Sequence, residues 1–141
     1  MLIYPVTLEP AEEGGFVVTF PDVPEAITQG DDETEALTMA QDALITMFDA
    51  YMHDRQAIPE ASPVHGQACV VFPVILAGKI ALYNSMLAVN MYTDDLARRL
   101  NISPAMAERL VSLRYKSRIE QIENALAIFG KRLVVDVREA A

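Results

Sequence analysis

Residues 2–9 form an apolar run with β-branched Ile3, Val6 and Thr7, which predicts a strand. Glu12, Glu13, Gly14 and Gly15 predict a turn, because glycine adopts positive φ at little cost. Residues 16–20 predict the returning strand, so the two runs make a hairpin. Pro21-Asp22-Val23-Pro24 ends regular pairing, since proline has no N–H to give to a ladder. A short third strand is expected over residues 26–29, before Gly30. Asp32 and Glu35 then have capping-box spacing, with Asp in the Ser/Thr role. Ala36, Leu37, Ala40, Ala43, Leu44, Met47, Phe48 and Tyr51 follow at steps of three and four. That spacing is one wide apolar face of a helix of about 20 residues, closed by His53 and Asp54. Residues 56–66, with Pro59, Pro63 and Gly66, read as a loop, and residues 67–72 as a buried strand ended by Pro73.

Beyond Pro73 the pattern becomes helical. Residues 74–90 predict an apolar helix. Thr93 is expected to cap the next one, with Asp94 and Asp95 at its positive end. Ser103-Pro104 is another start signal, Ser as cap and Pro at the first helical position. Ile119, Ile122, Leu126 and Phe129 give a last helical stripe that Gly130 can terminate. Residues 132–137, RLVVDV, have strand character and are expected to pair with their own copy in a dimer. The fold class is therefore α+β: an N-terminal ββ(β)αβ part, then a helical part with a short terminal strand.

Composition narrows the possibilities. The chain has 141 residues, enough for about one domain on length alone, and 52% of them are hydrophobic, which argues against a disordered chain. One cysteine, Cys69, excludes an internal disulfide framework and a multi-cysteine zinc site, and fits a reducing cytoplasm. The N-terminus has neither the basic start nor the long apolar stretch of a signal peptide. The 25 residues from Ala68 to Tyr92 carry a single charge, Lys79, but Pro73, Asn84 and Asn90 interrupt them. No membrane segment is expected there, because a central Lys and two Asn are costly in lipid.

Charge divides the chain at Pro73. Residues 1–73 hold 13 acids and one base, Arg55, for a net of −12, whereas residues 74–141 hold 7 acids and 10 bases, for a net of +3. Between residues 98 and 118 six bases stand against Glu108 alone. This asymmetry predicts two domains, 1–73 and 74–141, with different partners. The local positive charge is the kind of footprint that phosphate neutralisation leaves; the plain alternative is a solvated helical surface.

The segment from Thr93 to Leu113 reads as a helix-turn-helix. Ala97 is small enough for close helix approach, and Asn101, at the turn, tolerates the left-handed conformation. Leu96, Leu100 and Ile102 fill the angle from one side, and Ala107, Leu110 and Val111 from the other. Ala107 stands where such a pair usually carries Ile or Val, so looser packing is expected. If the second helix enters a major groove, Pro104, Ala105, Met106 and Arg109 face the bases, with Ala105 and Met106 suited to thymine methyls. Arg114, Lys116 and Ser117 suit phosphate contacts that set position and not sequence. An ordinary αα-hairpin is the alternative.

Catalytic signals are weak. His53 and His65 are 12 residues apart, on a helix end and in a loop, and Cys69 lies in a strand pattern that suits a small buried side chain. No GxSxG, Walker A or HExxH pattern occurs. Asp22, Asp31, Asp32, Glu33 and Glu35 are expected near one end of the sheet, which leaves a metal-dependent nuclease as one reading. A solvated or partner-facing acidic surface is the simpler one, suited to covering a basic protein.

Tyr4-Pro5-Val6-Thr7-Leu8, the run from Glu13-Gly14-Gly15 through Pro21-Asp22-Val23-Pro24-Glu25 to Gly30, and Glu35-Ala36 resemble HicB antitoxins of HicAB toxin–antitoxin pairs. The segment TDDLARRL-NISPAMAERL is similar to the helix-turn-helix domain of one branch of that family. The resemblance implies a partial RNase H-like N-terminal domain without nuclease activity. It also implies a C-terminal domain that dimerises and binds operator DNA upstream of its own operon. It implies a basic partner too, a HicA-type mRNA-cleaving toxin, with Asp22 and Glu25 as candidate contacts. The expected protein is an antitoxin and autorepressor, not an enzyme, acting as a homodimer or larger assembly without cofactor or metal. A stand-alone regulator with a ligand-sensing N-terminal domain is the other non-enzymatic reading.

Overall fold

The apolar run predicted as one strand over residues 2–9 divides at Val6. In the computed structural model, which describes residues 2–139, β1 (Leu2–Pro5) and β2 (Thr7–Pro10) belong to different sheets. Tyr4, Pro5 and Val6 are buried in succession, which breaks the alternation a single half-buried strand requires. The Val6 N–H donates to the Ala68 carbonyl at 2.9 Å, so the chain changes pairing partner at this residue. β1 runs antiparallel to β5 (Cys69–Phe72), with Leu2 opposite Phe72. β2 pairs with β3 (Phe16–Thr19), and β3 with β4 (Ile27–Gly30), both antiparallel. Among the described residues the chain is thus α+β, with five helices and two small sheets.

α1 (Glu33–His53) starts and stops where the sequence signals lie. The Asp32 carboxylate accepts from the Glu35 N–H at 2.8 Å, and Asp54 closes the other end. The Glu35 side chain reaches back to the Asp31 N–H at 3.4 Å, one residue earlier than a strict capping box. Ala36, Ala40, Leu44, Ile45 and Phe48 are buried, while Leu37, Ala43, Met47 and Tyr51 flank them half-buried. The core of this unit is aromatic. Tyr4 meets Phe72 edge-on at 5.8 Å between centroids, and Phe48 lies 5.4 Å from Tyr4 and 5.9 Å from Phe72. Gly30 ends β4 where α1 closes over it, and a Cβ there would stand 2.3 Å from the Ala36 nitrogen. β5 is not buried throughout: Val70 and Phe72 face the core, Val71 is exposed and Cys69 half-buried. The strand has helix on one face only, so it alternates.

The chain divides into two compact units, Leu2–Phe72 and the residues from Pro73 onward. In the second, α2 (Val74–Ala88) is apolar on nearly every side and is the central helix, as such patterns require. Gly78 permits the close approach of α5 (Ile119–Ala127), since a Cβ there would meet Ile122 Cγ2 at 2.7 Å. α3 (Thr93–Leu100) and α4 (Pro104–Val111) complete the unit. Gly130, at φ 66°, follows α5, and the Lys131 N–H caps the Leu126 carbonyl at 3.1 Å.

Two further expectations need correction. The strand expected over residues 132–137 does not form: residues 131–139 have no regular structure, and Val134, Val135 and Val137 are exposed. A strand exists only where its N–H and C=O groups meet a neighbouring strand, and the single chain brings none alongside. Thr93 does not cap α3. It is the first helical residue; Tyr92 takes the capping position, and its N–H donates to the Asp95 carboxylate at 3.0 Å.

Candidate functional site

The turn between α3 and α4 is three residues long and built as its side chains dictate. Asn101 adopts the left-handed conformation, φ 55° and ψ 48°, which ends α3. The Ile102 N–H then donates back to the Ala97 carbonyl at 3.0 Å. Ser103 caps α4, its hydroxyl accepting from the Met106 N–H at 3.1 Å, and Pro104 occupies the first turn. Leu96 and Ala97 from α3 and Ala107, Leu110 and Val111 from α4 are buried together, so the small Ala107 is fully enclosed.

This packing leaves one face of α4 outward. Pro104, Ala105, Met106 and Arg109 are exposed, as are Arg114 and Lys116 beyond the helix; Thr93 and Ser117 are half-buried. Met106, Arg109, Lys116 and Ser117 line one cleft of about 410 Å³ together with Tyr115, Gln121 and Asn124, floored by Leu100, Ile102 and Leu110. The Arg109 guanidinium lies over the Tyr115 ring, 5.3 Å from its centroid, so the cation is held against the cleft wall. Pro104, Ala105 and Arg114 do not line this cleft. Sequence reasoning missed Tyr115, Gln121 and Asn124, since no residue pattern says that the segment after α4 and the start of α5 line one cleft with α4.

Behind the cleft sits Lys79 of α2, fully buried. Its ammonium donates to the carbonyls of Arg109 at 2.9 Å, Ser112 at 2.7 Å and Tyr115 at 2.8 Å. The ammonium has three N–H donors, and each meets a carbonyl at the end of α4 or just beyond it, where helical carbonyls lack partners. Removal from water pulls its pKa from 10.5 down to about 8, so the group is still charged at neutral pH. The sequence held the signal, a single charge within an apolar helix, but nothing in it names the three carbonyls.

On the acidic unit, Asp22 is half-buried and occupied. One carboxylate oxygen accepts from the Ser62 N–H at 2.8 Å and the other from the Ser62 hydroxyl. The loop at residues 56–66 is therefore tied down, also by buried Ile58 and by the Tyr4 hydroxyl, which donates to the Pro59 carbonyl at 2.6 Å. Glu25 is exposed and accepts from the Tyr51 hydroxyl at 2.6 Å, which holds its carboxyl below the usual range; burial, and after it this bond and the Glu25 charge, pushes the Tyr51 phenol up to about 12. Asp31, Asp32 and Glu35 do not converge on a metal position; two of their carboxylates and the Asp31 N–H serve the start of α1. Among the described residues no three His, Cys, Asp or Glu side chains form a metal-holding group, and His53 and His65 are both exposed. No single helix among the described residues is long and apolar enough to cross a membrane.

Residues 3–81 match the family described as HicB-like antitoxins of bacterial toxin–antitoxin systems. The chain is 47% identical over 130 residues to antitoxin HicB 2 of Photorhabdus laumondii subsp. laumondii, covering 92% of each protein. It is 42% identical over 134 residues to antitoxin HicB 1 of the same organism, covering 95% of this chain and 86% of that one. Antitoxin HicB of Escherichia coli K12 is 40% identical over 131 residues, covering 92% of this chain and 95% of the relative.

Proposed function

The chain belongs to the HicB-like antitoxins of bacterial toxin–antitoxin systems, and from that premise we propose a division of labour between its two units. The acidic unit, residues 1–73, with a partial RNase H-like fold, occludes a HicA-type mRNA-cleaving toxin. The C-terminal unit, residues 74–141, binds operator DNA through a helix-turn-helix and represses its own operon in the cytoplasm. Neither role uses a catalytic step. The observation that carries the DNA reading is the turn at Asn101, which leaves Pro104, Ala105, Met106 and Arg109 outward on a capped second helix. A recognition helix uses its N-terminal residues in that way. Arg114, Lys116 and Ser117 supply phosphate contacts, and Thr93, at the first turn of α3, supplies another.

Charge supports the other half. A net of −12 over residues 1–73 suits a basic partner, speeding encounter and rejecting acidic competitors. Asp22 and Glu25 are proposed toxin contacts. Internal donors orient each carboxylate, and a carboxylate has about four acceptor sites, so capacity remains for a partner's cations. The assembly is a homodimer or larger. A two-fold dimer then reads half-sites ~10 bp apart or a multiple of that spacing.

The test uses full-length protein, co-expressed with the adjacent toxin gene and titrated with DNA from upstream of the operon. Arg109→Ala is expected to weaken operator binding, by about 1–3 kcal/mol for a lost base contact, while growth rescue and co-purification with the toxin persist. Lys116→Ala is expected to weaken all DNA equally and lower the salt slope by about 1. Loss of rescue in folded Arg109→Ala protein contradicts the division of labour.

A further inference from the structure

Lys79 is the one fully buried charged side chain among the described residues, and α2 could carry an apolar residue there at no cost in desolvation. What the ammonium does instead is local. Its three acceptors are the carbonyls of Arg109, Ser112 and Tyr115, spaced along the segment where α4 ends and the chain runs irregularly to α5. That segment carries the side chains assigned above to the nucleic-acid face: Arg109 in the last turn, then Arg114, Lys116 and Ser117. The Arg109 guanidinium stacks on the ring of Tyr115, another residue whose carbonyl Lys79 holds. The two residues of that stack are thus fixed by one ammonium behind them.

Resting on the proposed DNA-binding reading, we infer that Lys79 is a positioning residue of the DNA interface: it sets where base-reading Arg109 stands relative to phosphate-contacting Arg114, Lys116 and Ser117. It touches no DNA itself. Without it the three carbonyls turn toward water and the segment loses its single conformation, so the cations remain but their spacing does not. Spacing matters for reading sequence and little for general attraction to phosphate. Lys79 therefore governs preference for the operator and not the non-specific attraction to DNA.

The experiment compares full-length wild type, Lys79→Met and Lys79→Gln on a duplex from upstream of the operon and on a scrambled duplex of the same composition, with folding followed by circular dichroism. Ile122→Val, a change at a buried residue that does not itself line the cleft, is the control for lost stability. The expected result is a fall of at least tenfold in the operator-to-scrambled affinity ratio for Lys79→Met, with scrambled-duplex affinity changed less than threefold. Lys79→Gln, whose amide has two N–H donors in place of three, should fall between, and Ile122→Val should keep the wild-type ratio. An unchanged ratio in folded Lys79→Met overturns the inference, as does an equal fall in Ile122→Val. If neither Lys79 variant folds, the residue serves folding alone and the inference also falls. A wild type that does not prefer the operator duplex overturns the DNA reading itself, and is distinguishable because it appears before any substitution.

Discussion

Tyr51 and Glu25 form a hydrogen bond between α1 and the turn after β3. The donor is reliable, because the raised phenol pKa of about 12 keeps the proton on Tyr51 at any physiological pH. The bond favours the carboxylate and lowers the Glu25 pKa. A depressed folded-state pKa contributes stability that is present above the unfolded value and lost as pH falls through the folded one. Tyr51→Phe is therefore expected to raise the Glu25 pKa toward 4.5, the ordinary value. A carboxyl-carbon NMR titration of both proteins measures this; coincident curves would show that the bond does not form in solution. Asn101 and Ser103 were legible as residues, since each has a backbone preference that requires nothing distant. Thr93 misled, because capping depends on where the helix begins, and Asp95 reaching back to Tyr92 placed that start one residue earlier than a Thr cap would.

Elements were legible where their signals are local. α1 ends at both sequence signals, and α4 begins at Ser103-Pro104. Ser103→Ala is expected to lower the stability of the C-terminal unit by about 1 kcal/mol, because the Met106 N–H loses its acceptor. A urea melt followed by circular dichroism gives the value, and Ser103→Asp should restore most of it. Strands were less legible. Residues 2–9 read as one strand because apolar spacing reports burial and not which neighbour accepts each N–H. The tail failed for the converse reason: RLVVDV has strand propensity, but propensity without a paired backbone makes no strand.

For the whole molecule, that tail makes a prediction. Leu133 packs close to Gly78, and the residues after it expose Val134, Val135 and Val137. Truncation after Leu133 is expected to leave the helical content intact and to reduce the proposed assembly to single chains in sedimentation. Persistence of the wild-type assembly would place the self-association surface elsewhere. The division at Pro73 has a physical counterpart in charge, since net −12 and net +3 halves repel and attract different macromolecules.

Sequence alone determined what depends on neighbours along the chain: the caps at Asp32 and Ser103, the left-handed turn, the apolar faces of α1 and α5, the charge division and the resemblance to an antitoxin family. Tertiary structure decided what depends on residues far apart. It moved the first strand's pairing at Val6, tied the loop at residues 56–66 to Asp22, and brought the start of α5 to line one cleft with α4. It also gave buried Lys79 its three carbonyls, 30 to 36 residues away. Local preferences are short-range energies that a sequence states directly. The partners of a hydrogen bond across a fold are set only when packing brings them together.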